Sequence, residues 1–128
     1  GRLCGCGKRG CLEAYSSGNA IIKKNKIKKC KNTKDLLTKF KNNMQTKKII
    51  NEAASMIAQS IINVNVLIRM DYFLIGGSVG LNPYFYDLIV EKLKKTQSPV
   101  KIKKAKLKSK AELYGCLVYI NKKLFLKK

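Results

Sequence analysis

The sequence predicts an α/β domain, and three observations predict it. The 128 residues are 45% hydrophobic, enough to build a core and too apolar for a disordered tail. From Lys47 to about Leu67 the apolar residues recur with a helical period. Tyr72-Phe73-Leu74-Ile75, closed by Gly76-Gly77, then reads as a short buried strand. The length has room for one domain, or for one half of a larger enzyme. Apolar runs are interrupted within a few residues, so no membrane-spanning helix is expected.

Taken in order, residues 1–11 hold three cysteines among glycines and are too glycine-rich for a helix or strand. Glu13 to about Asn25 is expected to be helical, with Leu12, Tyr15, Ala20 and Ile21 as its apolar positions. Cys30 to Lys34 is a polar connector, and Thr33 is expected to cap a helix from Lys34 to about Lys41 that carries Leu36, Leu37 and Phe40. In the long helix Ile50, Ala54, Ile57, Ile61 and Ile68 form one face, flanked by Ala53, Ala58 and Ile62. Asn82 and Pro83 make a cap and first position for a helix to about Lys95. Tyr84, Phe85, Leu88, Ile89 and Leu93 face inward there, and Lys92, Lys94 and Lys95 suit its C-terminal dipole. Pro99 to Leu107 alternates weakly and carries the charges of an edge strand. Ala111 to about Leu124 is a last helix, packed through Leu113, Leu117, Ile120 and Leu124.

The formal net charge of +21 invites a nucleic-acid reading. Of the 28 basic residues, however, 25 are Lys, and only Arg2, Arg9 and Arg69 are Arg. Base readout and bidentate phosphate contacts favour Arg. Ten Asn and thirteen Ile accompany the Lys, and all three types have AT-rich codons. The charge therefore reads as codon bias on solvated surfaces. The runs 23–31 and 101–110 lack the interleaved aromatics that would stack bases, so only non-specific, salt-sensitive nucleic-acid binding is expected.

Cys4-Gly5-Cys6-Gly7-Lys8-Arg9-Gly10-Cys11 is the sharpest feature. Thiolates are soft ligands, and Zn²⁺ takes four donors in a tetrahedron at about 2.3 Å. A C-x-C step sets two sulfurs on one side of a turn, and the gap of four returns a third. Gly5, Gly7 and Gly10 supply the positive φ that such a knuckle needs. The chain has no His, so water, Cys30 or an upstream residue would close the site. Unligated thiols and a disulfide are the alternatives to structural zinc. A catalytic metal is not expected, because no carboxylate or His cluster stands nearby to work on a bound water. The chain opens on Gly1-Arg2-Leu3-Cys4, with no initiator Met and no apolar leader. A cytoplasmic protein with further residues upstream of the cluster is the expectation.

The segment Cys4 to Ala20 meets every fixed position of C-x-C-G-x-x-G-C-L-E-x-x-x-S-G-x-A, and in this it resembles the zinc-knuckle signature of the ROK family of sugar kinases and repressors. The resemblance implies the C-terminal lobe of an actin-like (ribonuclease-H-like) ATPase fold, a small sheet covered by helices. It divides the chain into a knuckle at 1–12 and an α/β lobe at 13–128, with the N-terminal lobe missing. It implies structural zinc on Cys4, Cys6 and Cys11, with a His upstream as the fourth ligand, and a sugar-binding role for Glu13. Phe73 to Asn82 is similar to the family's ATP-side segment, which sets Gly76 and Gly77 beside the nucleotide. Its Gly-Gly-Ser-Val-Gly form is similar to that of the N-acetylmannosamine kinases. Ala111 to Leu117 resembles the closing A-G-L-x-G-A-A helix, departing at Glu112 and Cys116.

The implied activity is transfer of the γ-phosphoryl group of ATP, with Mg²⁺, to the 6-hydroxyl of a hexose or N-acetylhexosamine. N-acetylmannosamine is the first candidate, and a glucokinase-like relative is an alternative. The family's Asp-x-Gly-Gly-Thr loop and catalytic Asp are absent, so the 128 residues alone are expected to be inactive and a full-length protein to form a homodimer. A different class, the sugar-sensing lobe of a ROK-type repressor, would keep the knuckle and Glu13. A third is a free-standing basic zinc module closed by Cys30 or water.

Overall fold

Asparagine side chains start three of the helices. A computed structural model describes residues 1–27, 29–97 and 99–125. Asn32 Oδ1 accepts from the Asp35 N–H at 2.9 Å to open α3, Thr33–Thr38. Asn43 Oδ1 accepts from Gln45 and Thr46 to open α4, Met44–Ile68. Asn82 does the same for α6, Pro83–Lys95, with Pro83 in the first turn as the sequence predicts. A short polar side chain in extended backbone satisfies amides that have no partner inside the helix. Asn32, not Thr33, is thus the cap of α3. The Thr33 hydroxyl instead donates to the Gly18 carbonyl at 2.8 Å.

The helix expected from Glu13 to Asn25 is two: α1, Glu13–Ser16, and α2, Gly18–Lys24. Ser17 between them is extended, at ψ 158°, and its Oγ accepts from the Ala20 N–H at 3.1 Å. A serine followed by glycine gains a cap here that a continuous helix would deny it. Ser16 Oγ donates to the Ala53 carbonyl at 3.0 Å, which ties the break to α4.

The core lies where α4 and α6 pack, joined by α2 and α3. Ile21, Leu36, Ile50, Phe85 and Ile89 are fully buried there. Each such side chain contributes about 1.5–3 kcal/mol when taken from water. Small Ala53, Ala54 and Ala58 on α4 allow close approach. Ile68, expected on the same buried face, is 61% exposed. The reason is length: α4 has 25 residues and α6 only 13, so α4 outruns its cover.

Strand β1, Phe73–Ile75, pairs in parallel with β2, Ile102–Lys104, Phe73 opposite Ile102. Between them run α5, Gly77–Gly80, and α6. Phe73 and Ile75 turn toward the core, but Leu74 is exposed, so β1 is half-buried rather than buried. Among the described residues, Phe73, Ile75 and Ile102 on one face of this two-stranded sheet pack against the helical core, and Leu74 and Lys103 on the other face are exposed. A 3₁₀ turn, Lys108–Lys110, leads into α7, Ala111–Phe125. That helix forms as expected, but Leu113, Leu117 and Ile120, expected to pack it, are exposed. The Leu124 side chain lies outside the described residues.

Thr46 is fully buried in the first turn of α4, and its hydroxyl has no hydrogen-bond partner. A buried hydroxyl left unpaired costs about 1–3 kcal/mol. Thr46→Val keeps the shape and removes the unpaired group, so it should raise unfolding stability by about 1 kcal/mol in urea melts. An equal or lower midpoint at the same slope would show that the hydroxyl is satisfied.

Candidate functional site

The cysteine segment closes on itself through its backbone. Cys4 N–H donates to the Lys8 carbonyl at 2.8 Å, and Gly7 N–H to the Cys4 carbonyl at 3.1 Å. Leu3 and Arg9 form an antiparallel bridge, and Gly10 N–H donates to the Arg2 carbonyl. Gly7 and Gly10 both stand at φ 81°, where a side chain is strained. Gly5, expected to share that role, is not among the positive-φ glycines. The turn brings the Sγ atoms of Cys4, Cys6 and Cys11 within 4.8 Å of one another.

Cys6 and Cys11 Sγ are 3.7 Å apart. A tetrahedral zinc with bonds of about 2.3 Å needs sulfurs about 3.8 Å apart, so the Cys6–Cys11 pair fits such an ion, with Cys4 Sγ within 4.8 Å of both. The backbone N–H of Lys8, then the Cys4 and Cys11 thiols, hold Cys6 below its ordinary pKa. Cys11, which supplies a hydrogen bond to Cys6, is pushed up to about 11. Cys6 therefore ionises before Cys11. Cys30 Sγ donates to the Asn32 carbonyl at 3.3 Å and does not join the cluster, which removes it as the closing ligand.

Glu13 opens α1, two residues past Cys11. Its Oε2 lies 3.6 Å from Cys4 Sγ and accepts from that thiol. The carboxylate lines a cavity of about 150 Å³ together with Cys4, Asn19 and Lys23. The knuckle and α1 are held to the core by residues that sequence reasoning missed. Arg2 on the knuckle side and Lys24 at the end of α2 both pair with Glu52 on α4. The Arg2 guanidinium also stacks 4.3 Å from the Tyr15 ring, and the Arg2 N–H donates to Tyr15 Oη. Nothing local in the sequence marks these pairs, since Glu52 lies 50 positions from Arg2.

A second cavity, of about 380 Å³, brings together the Ser16-Ser17-Gly18 break and the Gly76-Gly77-Ser78 turn. Gly77 is at φ 76°, with open space where a Cβ would stand. At Gly80 a Cβ would meet Ile75 Cγ2 at 2.8 Å, so that glycine serves packing. The sequence signal for the break was present, a Ser-Gly pair inside a helical pattern, but nothing local marks its meeting with the glycine turn. The cysteine cluster and Glu13 thus lie at one end of α1, and the glycine cleft lies at the other.

A cysteine turn feeding a broken helix, beside a strand that ends in two glycines over a cleft, makes an α/β lobe with a cavity on either side of α1. Comparison with known proteins is consistent with that class and narrows it. Residues 1–123 match the ROK family, and the chain belongs to it. A N-acetylmannosamine kinase of Vibrio vulnificus is 37% identical over 83 residues, 63% of this chain and 28% of that protein. The enzyme of the same name from Yersinia pestis is 34% identical over 94 residues, 70% of this chain and 32% of that protein. The ROK hexokinase from Thermus thermophilus has the same fold over 87% of this chain and 41% of its own, at TM-score 0.74 and 22% identity. The chain therefore spans less than a third of these curated relatives. Among the described residues no helix is long and apolar enough to cross a membrane.

Glu52 gives the site an acid limit. The Lys24 hydrogen bond, then Arg2, holds its carboxyl below the ordinary 4.5, against the opposing effect of burial. Its folded pKa is the lower one, so its stabilisation is complete above 4.5 and lost as pH falls through the folded value. Glu52→Gln should lower stability by about 0.5–1 kcal/mol at pH 7 and flatten the acid limb of a stability–pH curve. Unchanged acid dependence would show that the pairs hold nothing.

Proposed function

We propose that this chain is the knuckle-bearing lobe of an ATP-dependent ROK sugar kinase, with N-acetylmannosamine as the substrate. Family membership over residues 1–123 carries the reading, and the names of the matched relatives support the substrate. Residues 1–12 serve as the knuckle and 13–128 as the α/β lobe of an actin-like ATPase acting in the cytoplasm. The full-length enzyme works as a homodimer, with the catalytic base on a part of the fold that the 128 residues do not contain.

In this reading Cys4, Cys6 and Cys11 hold a structural zinc that fixes the start of α1. The zinc supplies no chemistry to the sugar. A thiolate bound to metal has no proton to give, so Cys4 would release Glu13 and leave its carboxylate free to accept other hydrogen bonds. An ionised carboxylate accepts hydrogen bonds from two neighbouring hydroxyls, which is how Glu13 orients the ring. Asn19 and Lys23 line the same cavity and add polar contacts.

Gly76 and Gly77 border ATP. The open space before Gly77 lets a phosphate approach the backbone without meeting a side chain. ATP with Mg²⁺ supplies the transferable γ-phosphoryl group, and positioning with charge stabilisation drives its transfer. A base removes the proton of the sugar's 6-hydroxyl. That base lies outside this chain. Among the residues lining the glycine cleft there is no carboxylate, Asp35 is paired with Lys39, and Asp71 and Asp87 are exposed elsewhere.

The reading is tested by saturation-transfer NMR of the zinc-loaded chain with N-acetylmannosamine and glucose, alongside an ADP-release assay. N-acetylmannosamine should give the stronger transfer, Glu13→Gln should reduce it at least tenfold with the helical circular dichroism unchanged, and no ADP should form. Equal transfer in the variant would remove Glu13 from sugar binding, and sustained ADP release would place the base inside these residues.

A further inference from the structure

The three sulfurs of the knuckle are not equivalent. Cys4 is buried and its thiol is engaged with Glu13, whereas Cys6 is exposed and Cys11 half-buried. Cys6 and Cys11 Sγ stand 3.7 Å apart across a turn that runs through Gly7 and Gly10. Backbone hydrogen bonds and the Leu3–Arg9 bridge, rather than the sulfurs, hold that turn closed. The two outer thiols are thus adjacent and open to solvent, while the inner one is sheltered. We propose that Cys6 and Cys11 are a redox switch: hydrogen peroxide converts them to a reversible disulfide, and the knuckle then releases its metal ion.

Exposure selects Cys6 as the sulfur that meets the oxidant. Its thiolate attacks the O–O bond and takes one oxygen as a sulfenic acid, while the other oxygen takes a proton from solvent and leaves as water. The Cys11 thiolate then displaces the sulfenic oxygen, which takes a second proton and leaves as a second water. The peroxide gains two electrons and the sulfur pair loses two. The new bond brings the sulfurs to about 2.05 Å, roughly 1.7 Å closer than they stand. With two sulfurs spent on each other, Cys4 is the one thiolate left in the cluster, too few to retain an ion that takes four donors. Cys4 Sγ, 3.6 Å from Glu13 Oε2, is then free to keep that carboxylate engaged. Cys30, which donates to the Asn32 carbonyl, and Cys116 on α7 stand outside the cluster and serve as internal references.

The inference rests on the metal role proposed for the cluster and not on the kinase activity or the identity of the sugar. Its test is a titration of the zinc-loaded chain with hydrogen peroxide at neutral pH. A chromogenic chelator follows the metal, and mass spectrometry after alkylation follows each thiol. One zinc should leave for each Cys6–Cys11 disulfide formed, with the loss of two hydrogen atoms from the reduced chain. That pair should oxidise roughly tenfold faster than Cys30 or Cys116. A thiol reductant with fresh zinc should then restore the loaded form. A chain that takes up no zinc fails before peroxide is added, which overturns the metal role and this inference with it. Zinc retained under peroxide, or released without the Cys6–Cys11 bond, would overturn the inference alone. So would a disulfide through Cys4, first oxidation at Cys30 or Cys116, or a product that the reductant does not reverse.

Discussion

Everything near the cysteine cluster depends on how α4 is used. One face of this helix is the core, where Ile50, Ala53 and Ala54 are fully buried. The next turn of its surface holds the site: the Ala53 carbonyl takes the Ser16 hydroxyl, and Glu52 takes Arg2 and Lys24. The knuckle is a loop with few apolar contacts of its own, and loops without such contacts wander. A rigid helix bearing one carboxylate and one accessible carbonyl turns that loop into a fixed end of α1. Glu13 inherits its position from that anchoring.

Much of this was legible because the relevant physics is local. The period of α4, the Asn82-Pro83 start of α6 and the spacing of the cysteines each express a short-range rule. The knuckle residues and Gly76-Gly77 lie at the two ends of α1. What stayed hidden was set by partners distant in sequence. Glu52 carries no motif, and its role exists only because folding brings residues 2 and 24 to it. The Ser17 break was misread as helix because the flanking apolar residues keep the period, while a side-chain cap decides the backbone.

Burial was the weakest expectation, for a reason that concerns composition rather than pattern. Periodicity identifies which side of an element is apolar, but not whether anything lies against it. For α6 something does, and Phe85, Ile89 and Leu93 are buried as expected. For the end of α4, the outer face of β1 and most of α7, the apolar side faces solvent. The cationic surface is likewise unmatched: only four ion pairs form among the described residues, against 28 basic side chains. Both facts suit a lobe that spans less than a third of its curated relatives.

We propose that three thiolates and one metal ion complete the geometry from which Glu13 works. Zinc K-edge absorption on the purified chain, with metal content measured on the same sample, tests it most directly. One zinc per chain, with three sulfurs at about 2.3 Å and a lighter fourth donor, is the predicted result. A substoichiometric metal content after zinc loading, or a zinc shell of oxygen and nitrogen only, would contradict it.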